Sequence, residues 1–246
     1  MTAKEHYDNH LANFYEWMVG DFEAKEKEQR DFFERNGIKP LQNEIAVDLG
    51  SGPGLQSIAL AKLGFHVRAV DFNLQLLERL RIRGKEFGLQ TFQRDLLLEE
   101  NFKEQAEIVV CMGDTIAHLE SADQIQMLLD RSFECLVENG KLILSYRDYG
   151  TELVDTQRFI LVKSDDNKIL TCFLEFPDDK VKVTDLLHEQ INGQWIQKVS
   201  SYFKIRLTNQ MIEKFVMNAG FKILKNEVIT RMNYLIAEKQ EDQNHK

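Results

Sequence analysis

The sequence predicts an α/β fold: a doubly wound seven-stranded sheet, mostly parallel with an antiparallel closing strand, plus N-terminal helices and an antiparallel β insert. Three observations lead there. Short apolar runs alternate with helical stretches between residues 45 and 146, a rhythm that right-handed crossovers convert into a parallel sheet with helices on both faces. A glycine-rich turn follows the first of those runs. From about residue 151 the rhythm becomes that of hairpins, with Asn192-Gly193 set between two runs rich in β-branched and aromatic residues.

Taken in order, Leu11, Phe14, Tyr15, Met18 and Phe22 recur at helical spacing, and a second helix carries Phe32 and Phe33 until Gly37 and Pro40 stop it. IAVDL (45–49) is the first strand, and a helix over 55–63 ends at Gly64. HVRAVDF (66–72) is the second strand, a helix over 74–87 closes at Gly88, and LQTFQRDL (89–96) is the third strand. EIVVCM (107–112) is the fourth; after a helix over 122–137, Gly140 precedes the fifth, KLILSY (141–146). RFILVKS, KILTCFLEF, KVKVTDLLHEQI and QWIQKVSSYFKIRL form the insert. A helix over 209–219 stops at Gly220, and FKILKNEVIT with RMNYLIAEK completes the sheet. The organisation is a helical lid over 1–40, a core over 41–150 and 207–239, and the insert over 151–206. The segment after Ala237, EKQEDQNHK, is polar and expected to fray.

Composition narrows the partners. Of 246 residues, 43% are hydrophobic and 29% charged, which excludes a disordered or collagen-like chain. A formal net charge of −9 repels a phosphate backbone, so nucleic acid is not expected as a partner. Cys111, Cys135 and Cys172 make neither an even set nor a metal-type pair and read as buried thiols. No apolar run reaches the ~18 residues of a membrane span and no secretory signal is visible, so a cytoplasmic protein without membrane contact is expected.

The chemistry is concentrated in the turn Asp48-Leu49-Gly50-Ser51-Gly52-Pro53-Gly54. Its glycines allow close backbone approach to a ligand, and the helix that follows offers free N–H groups. A dinucleotide site calls for G-x-G-x-x-G, but here the third glycine comes one residue early and Leu55 takes its place. The G-K-[ST] ending of a phosphate-binding loop is absent. Asp48, two residues before the first glycine, is expected at the mouth of the turn, where it would repel a pyrophosphate and attract a cation. Asp71 ends the second strand at the distance suited to two ribose hydroxyls. Asp95, beside Leu96, is suited to an exocyclic amine, with Leu96 or Phe72 covering the face of the base. Three acids at the ends of three consecutive strands together describe a nucleoside bearing a cationic amino-acid arm.

VDLGSGPG (47–54), VRAVDFN (67–73), QRDL (93–96), VVCMGDTIAHL (109–119) and LVENGKLILSYRDY (136–149) together resemble the class I S-adenosylmethionine-dependent methyltransferases, with their Rossmann-like core. The likeness covers about residues 45 to 149 and resumes in the closing strands. The 151–206 insert looks, more loosely, like that of some small-molecule members. The resemblance implies S-adenosylmethionine as cofactor, with Gly50, Ser51, Gly52 and Gly54 on the methionine arm, Asp71 on the ribose and Asp95 on the adenine. Phe72, Leu96 and Met112 complete that implied set. It also places the acceptor beside the end of the fourth strand, at Met112-Gly113-Asp114-Thr115. The Asn/Asp-Pro-Pro-aromatic signature of base-amine methylation is missing there, which points to a small-molecule acceptor.

The expected catalytic candidates are His118 or Asp114 as general base, with Tyr146 and Arg147 at the end of the fifth strand. Arg147 either pairs with an acceptor carboxylate or with an acid such as Asp148. Only one acid stands in the fourth-strand turn, so no metal is expected. Tyr7, His10, Tyr15 and Trp17 lie within the N-terminal helices; family members often close the site with such a lid, although Trp17 alone reads as packing. The insert either roofs the pocket or forms a homodimer interface. Competing functions are methylation of a protein or RNA, a non-catalytic S-adenosylmethionine-binding module, and a dinucleotide-dependent oxidoreductase.

Overall fold

The computed structural model describes residues 1–240. The N-terminal region is helical but broken. Helix α1 (Ala3–Asn9) starts at a capping box in which the Thr2 hydroxyl accepts from the Glu5 N–H and the Glu5 carboxylate takes the Thr2 N–H. A 3-10 turn (Leu11–Asn13) and α2 (Tyr15–Val19) follow, and Gly20, at φ 91°, ends α2 before α3 (Phe22–Arg35). The single helix expected from Leu11 through Phe22 is therefore corrected to three pieces, the 3-10 turn, α2 and the first residue of the 14-residue α3. Leu11, Phe14, Tyr15 and Met18 still share a direction, packing with Leu170 and Leu187 of the insert, whereas Phe22 packs with Ile58, Leu77 and Leu80 of the core.

The strands are β1 (Ile45–Leu49), β2 (His66–Asp71), β3 (Gln90–Gln93), β4 (Ala106–Cys111) and β5 (Leu136–Tyr146). Between and after them come α4 (Leu55–Lys62), α5 (Leu74–Arg83) and α6 (Ala122–Cys135). Four insert strands follow, β6 (Phe159–Ser164), β7 (Lys168–Glu175), β8 (Lys180–Ile191) and β9 (Gln194–Ile205). The chain then adds α7 (Asn209–Asn218), β10 (Phe221–Ile229) and β11 (Met232–Lys239). The main sheet runs β10-β11-β5-β4-β1-β2-β3, with β11 antiparallel to both its neighbours. Expected boundaries shift in three places. Helix α5 stops at Arg83, with a 3-10 turn to Phe87; β3 is only four residues long; and β5 begins at Leu136, so that Gly140 lies inside it, beside a register shift against β4. Lys239 is still within β11, so fraying does not begin at Glu238; the tail from residue 241 onward lies outside the described residues.

Strand alternation divides the core. Val47, Leu49, Leu142, Leu144 and Tyr146 pack toward α6 and α7, while Ala46, Val110 and Ile143 pack with Phe33 and Leu60 of α3 and α4. The insert is a separate antiparallel sheet in the order β6-β7-β8-β9. Asn192 (φ 52°) and Gly193 (φ 78°) both take positive φ in the β8–β9 turn, the primed geometry that matches strand twist. Val181, Val183, Tyr202 and Ile205 carry the insert onto the main core. Among the described residues no helix is long and apolar enough to cross a membrane.

Candidate active site

The chain leaves β1 for β2 and β3 on one side and returns through β4 on the other, so a crevice opens at the carboxyl ends of β1 and β4. A cavity with about 680 Å³ of empty space, part of it open to solvent, occupies it. Gly50, Ser51, Gly52 and Pro53 form its floor, Asp71, Phe72 and Leu96 one wall, and Met112, Gly113, Thr115 and His118 the opposite wall. Tyr7 and Tyr15 line it from the N-terminal segment.

The turn is built to stay open. Gly52 has φ 51°, and a Cβ placed there would find no heavy atom within 4 Å. Its two fellow glycines are pressed instead: a Cβ on Gly50 would lie 2.3 Å from Thr115, and one on Gly54 2.2 Å from Leu80. The Gly52 N–H donates to Asp71 Oδ2 and the Asn73 N–H to Asp71 Oδ1, each at 2.8 Å. Burial outweighs those bonds and pushes the Asp71 carboxyl up to about 6. Asn73 caps α5 through Leu76 N–H and donates its side-chain amide to Asp8 of α1 at 2.7 Å. Tyr7 meets Phe72 edge-on at 5.5 Å and His118 at 5.6 Å.

His118 is half-buried at the end of a 3-10 turn (Thr115–His118), with Nδ1 lacking a hydrogen-bond partner. Burial, then the nearby Lys204 charge, lower its pKa to about 3, so the imidazole is neutral.

Several expected residues are held elsewhere. Asp48 shares the Ala46 face of β1, where strand alternation turns it toward α4; its carboxylate accepts from the Ser57 hydroxyl at 2.5 Å and does not line the cavity. Burial pushes it up to about 7. The acid at the cavity is thus Asp71, correcting the expectation that placed Asp48 at the mouth. Asp95 lies two residues beyond the end of β3, exposed, with Oδ1 accepting from the Leu97 N–H; its neighbour Leu96 reaches the cavity and it does not. Asp114 is corrected as a base. It is buried away from the cavity and accepts from Lys204 Nζ (2.6 Å), the Tyr149 hydroxyl (2.7 Å) and the Arg147 N–H (2.9 Å). Burial alone would raise its pKa, but the charge and hydrogen bond of Lys204, with the other donors, hold it below the ordinary carboxylate range.

Tyr146 is fully buried toward α7, its hydroxyl donating to Asn209 Oδ1 at 2.7 Å, because the parity of β5 sends it to that face. Arg147 is exposed and bonds Asp114 only through its N–H, and Asp148 accepts from the N–H groups of Gly150 and Asn209. Trp17 packs on the insert, donating to Asp165 under the ammonium groups of Lys163 and Lys168. His10 stacks edge-on against Phe14 at 5.0 Å. The sequence reading also missed a buried cluster: His6 bonds Ser200 Oγ (2.8 Å) and Asp185 (3.1 Å), and its ring stacks on Tyr202 at 4.2 Å. The only signal for it in the sequence was the alternation of polar residues on the inward positions of β8 and β9.

The strand order, the antiparallel closing strand and the glycine-turn cavity define a class I S-adenosylmethionine-dependent methyltransferase architecture. Residues 46–140 match the family model described as a methyltransferase domain. A glycine/sarcosine N-methyltransferase of Aphanothece halophytica is 29% identical over 154 residues, 59% of this chain and 57% of that protein. A ubiquinone biosynthesis O-methyltransferase of Xylella fastidiosa is 32% identical over 109 residues, 43% of each chain. The chain thus spans about half the length of the curated relatives it matches. The CcbJ methyltransferase of Streptomyces caelestis superimposes with a TM-score of 0.80 at 14% identity, covering 97% of this chain and 99% of that one.

Proposed function

We propose that the protein transfers a methyl group from S-adenosylmethionine to a small-molecule acceptor by in-line displacement. The observation that carries this reading is the pairing of an open, positive-φ glycine with a buried carboxylate. Gly52 leaves room for a ligand's chain against the backbone, and Asp71 stands one hydrogen bond away with lone pairs for a diol. The residues present suit a nucleoside with an amino-acid arm: glycines for the arm, Asp71 for the ribose, Leu96 and Phe72 as apolar cover for a base. When bound, S-adenosylmethionine supplies a methyl group already activated by a sulfonium.

The chain's own tasks are alignment and exclusion of water. Tyr7 and Tyr15 cover the cavity as a lid, and Met112 and Thr115 close the wall nearest His118. An imidazole held neutral accepts a hydrogen bond from the acceptor's N–H or O–H and so turns its lone pair toward the methyl carbon. With so low a pKa, His118 orients the nucleophile rather than removing its proton before attack. The cover of the tyrosines favours a small acceptor over a protein or RNA surface. Relatives named for glycine/sarcosine and for ubiquinone biosynthesis are in keeping with this.

The test is incubation with S-adenosylmethionine and a panel of small amines, amino acids and phenols, with S-adenosylhomocysteine followed by mass spectrometry. Acceptor-dependent product is expected. Binding of donor with no turnover on any member, but turnover on a protein or RNA, would replace the small-molecule reading.

A further inference from the structure

Two same-face residues of the insert strand β9 grip two residues of the turn after β4. Lys204 Nζ lies 2.6 Å from Asp114 Oδ2, and Tyr202, two positions earlier, stacks on the His118 ring at 5.5 Å with 25° between planes. Asp114 sits at φ 69°, a left-handed conformation that a non-glycine residue adopts at a cost, so something must hold it. Three of its holders are buried and the fourth is the backbone N–H of exposed Arg147: the Asp114 N–H donates to the Ser145 carbonyl at 2.9 Å, and its carboxylate takes Lys204, the Tyr149 hydroxyl and the Arg147 N–H. His118 follows four residues later, where it lines the donor cavity on one side and, on the other, a depression bounded by Leu119, Lys180 and Phe203.

We propose that Lys204 is a positioning residue for His118: through Asp114 it fixes the turn that presents the imidazole to the acceptor. The proposal rests on the reading of His118 as the acceptor-facing group. It gives the insert a part in the reaction, since β9 lies about 90 residues downstream of the turn it holds. The charge of Lys204 acts in the same direction as its geometry. The groups that face the His118 ring are Tyr7 and His6 from α1, Asp114 from its own turn, and Tyr202 and Lys204 from β9, with Glu120 and Lys180 across the depression. Of these, Lys204 opposes the imidazolium most, Asp114 favours it, and His6 opposes it to a smaller extent. Removing the ammonium leaves a carboxylate beside the ring with its strongest partner gone, and the ring gains a proton at higher pH.

The experiment is an NMR titration of the imidazole nitrogens in wild-type protein, Lys204→Met and Lys204→Arg, with His118→Gln assigning the signal. In the wild type His118 is expected to stay neutral down to about pH 5, well below an unperturbed histidine. In Lys204→Met its midpoint is expected to rise by roughly one pH unit or more, with methyl transfer lost on the acid side in step, and Lys204→Arg to restore both. If Lys204→Met does not fold, Lys204→Gln, which keeps a donor to Asp114 but removes the charge, carries the same test with the same expected shift. An unchanged His118 midpoint in a folded charge-removing variant overturns the proposal. S-adenosylhomocysteine binding to the wild type is measured on the same samples; its absence would remove the donor reading, while the titration would still decide the role of Lys204.

Discussion

The Asp71 carboxylate accepts the Gly52 N–H at 2.8 Å, so the end of β2 and the glycine turn after β1 are tied across the floor of the cavity. The carboxylate therefore braces the turn, and in the proposed reading its remaining lone pairs meet the ligand. Asp71→Ala is expected to weaken S-adenosylhomocysteine binding by about 1–3 kcal/mol, the worth of charged hydrogen bonds, when measured by calorimetry. Lower thermal stability with undiminished affinity would leave Asp71 as a brace alone.

Glycines two residues apart are expected to fail differently. Gly52→Val fills open space at a positive φ, so donor binding is lost while the protein still melts cooperatively. Gly54→Ala pushes a methyl to 2.2 Å from Leu80 at φ 99°, and the loss is expected in the melting temperature. Comparing thermal melts and binding for the two variants separates them; equal effects on binding and melting would contradict the assigned placement.

Acidification is expected to loosen the donor. A ribose needs an ionised Asp71 to accept both its hydroxyls, and burial raises that carboxyl to about 6. Affinity should then fall as pH drops through that value, approaching tenfold per unit for about one proton taken up. Calorimetry across that range reads it directly.

Stability of the ligand-free protein should change in the opposite direction. Asp71 at about 6 and Asp48 at about 7 hold protons in the fold that the unfolded chain, with acids near their ordinary value, has already released. The native state binds more protons over that interval, so these two groups lower stability as pH rises between about 5 and 7. Melting temperature against pH checks the sign, and Asp48→Asn should flatten the slope.

Asp8 links α1 to the Asp71 end of the cavity through its 2.7 Å bond with Asn73. Asp8→Ala frees that end of the proposed lid without opening the core. Dissociation of S-adenosylhomocysteine, followed by stopped flow, is expected to quicken several-fold, about 1 kcal/mol for a single hydrogen bond, with melting nearly unchanged. An unchanged off-rate would detach α1 from closure.

What could be read from the sequence was whatever depends on local pattern. The alternation of runs from Ile45 to Tyr146 and the Asn192-Gly193 turn placed the sheet and the insert. Asp71 reaches the cavity because it ends β2, and Gly52 and Leu96 because each lies three residues past the carboxyl end of its strand, β1 and β3. Asp48 and Tyr146 also lie at strand ends, yet the alternation of β1 and β5 turns them to helix-facing sides, a parity that residue type alone does not reveal. Asp114 read as a candidate base because its partner Lys204 arrives from a hairpin ninety residues on. No local signal announces such a meeting. The break of the first helix into three pieces follows from packing Leu11 and Phe14 onto an insert met only at Leu170 and Leu187.

The most direct test of the central claim is calorimetric titration of the wild-type protein with S-adenosylhomocysteine. A saturable heat with one site per chain is expected, and it should disappear in Gly52→Val. No heat from S-adenosylhomocysteine, with saturable heat from NADH instead, would contradict the assignment of this cavity to a methyl donor.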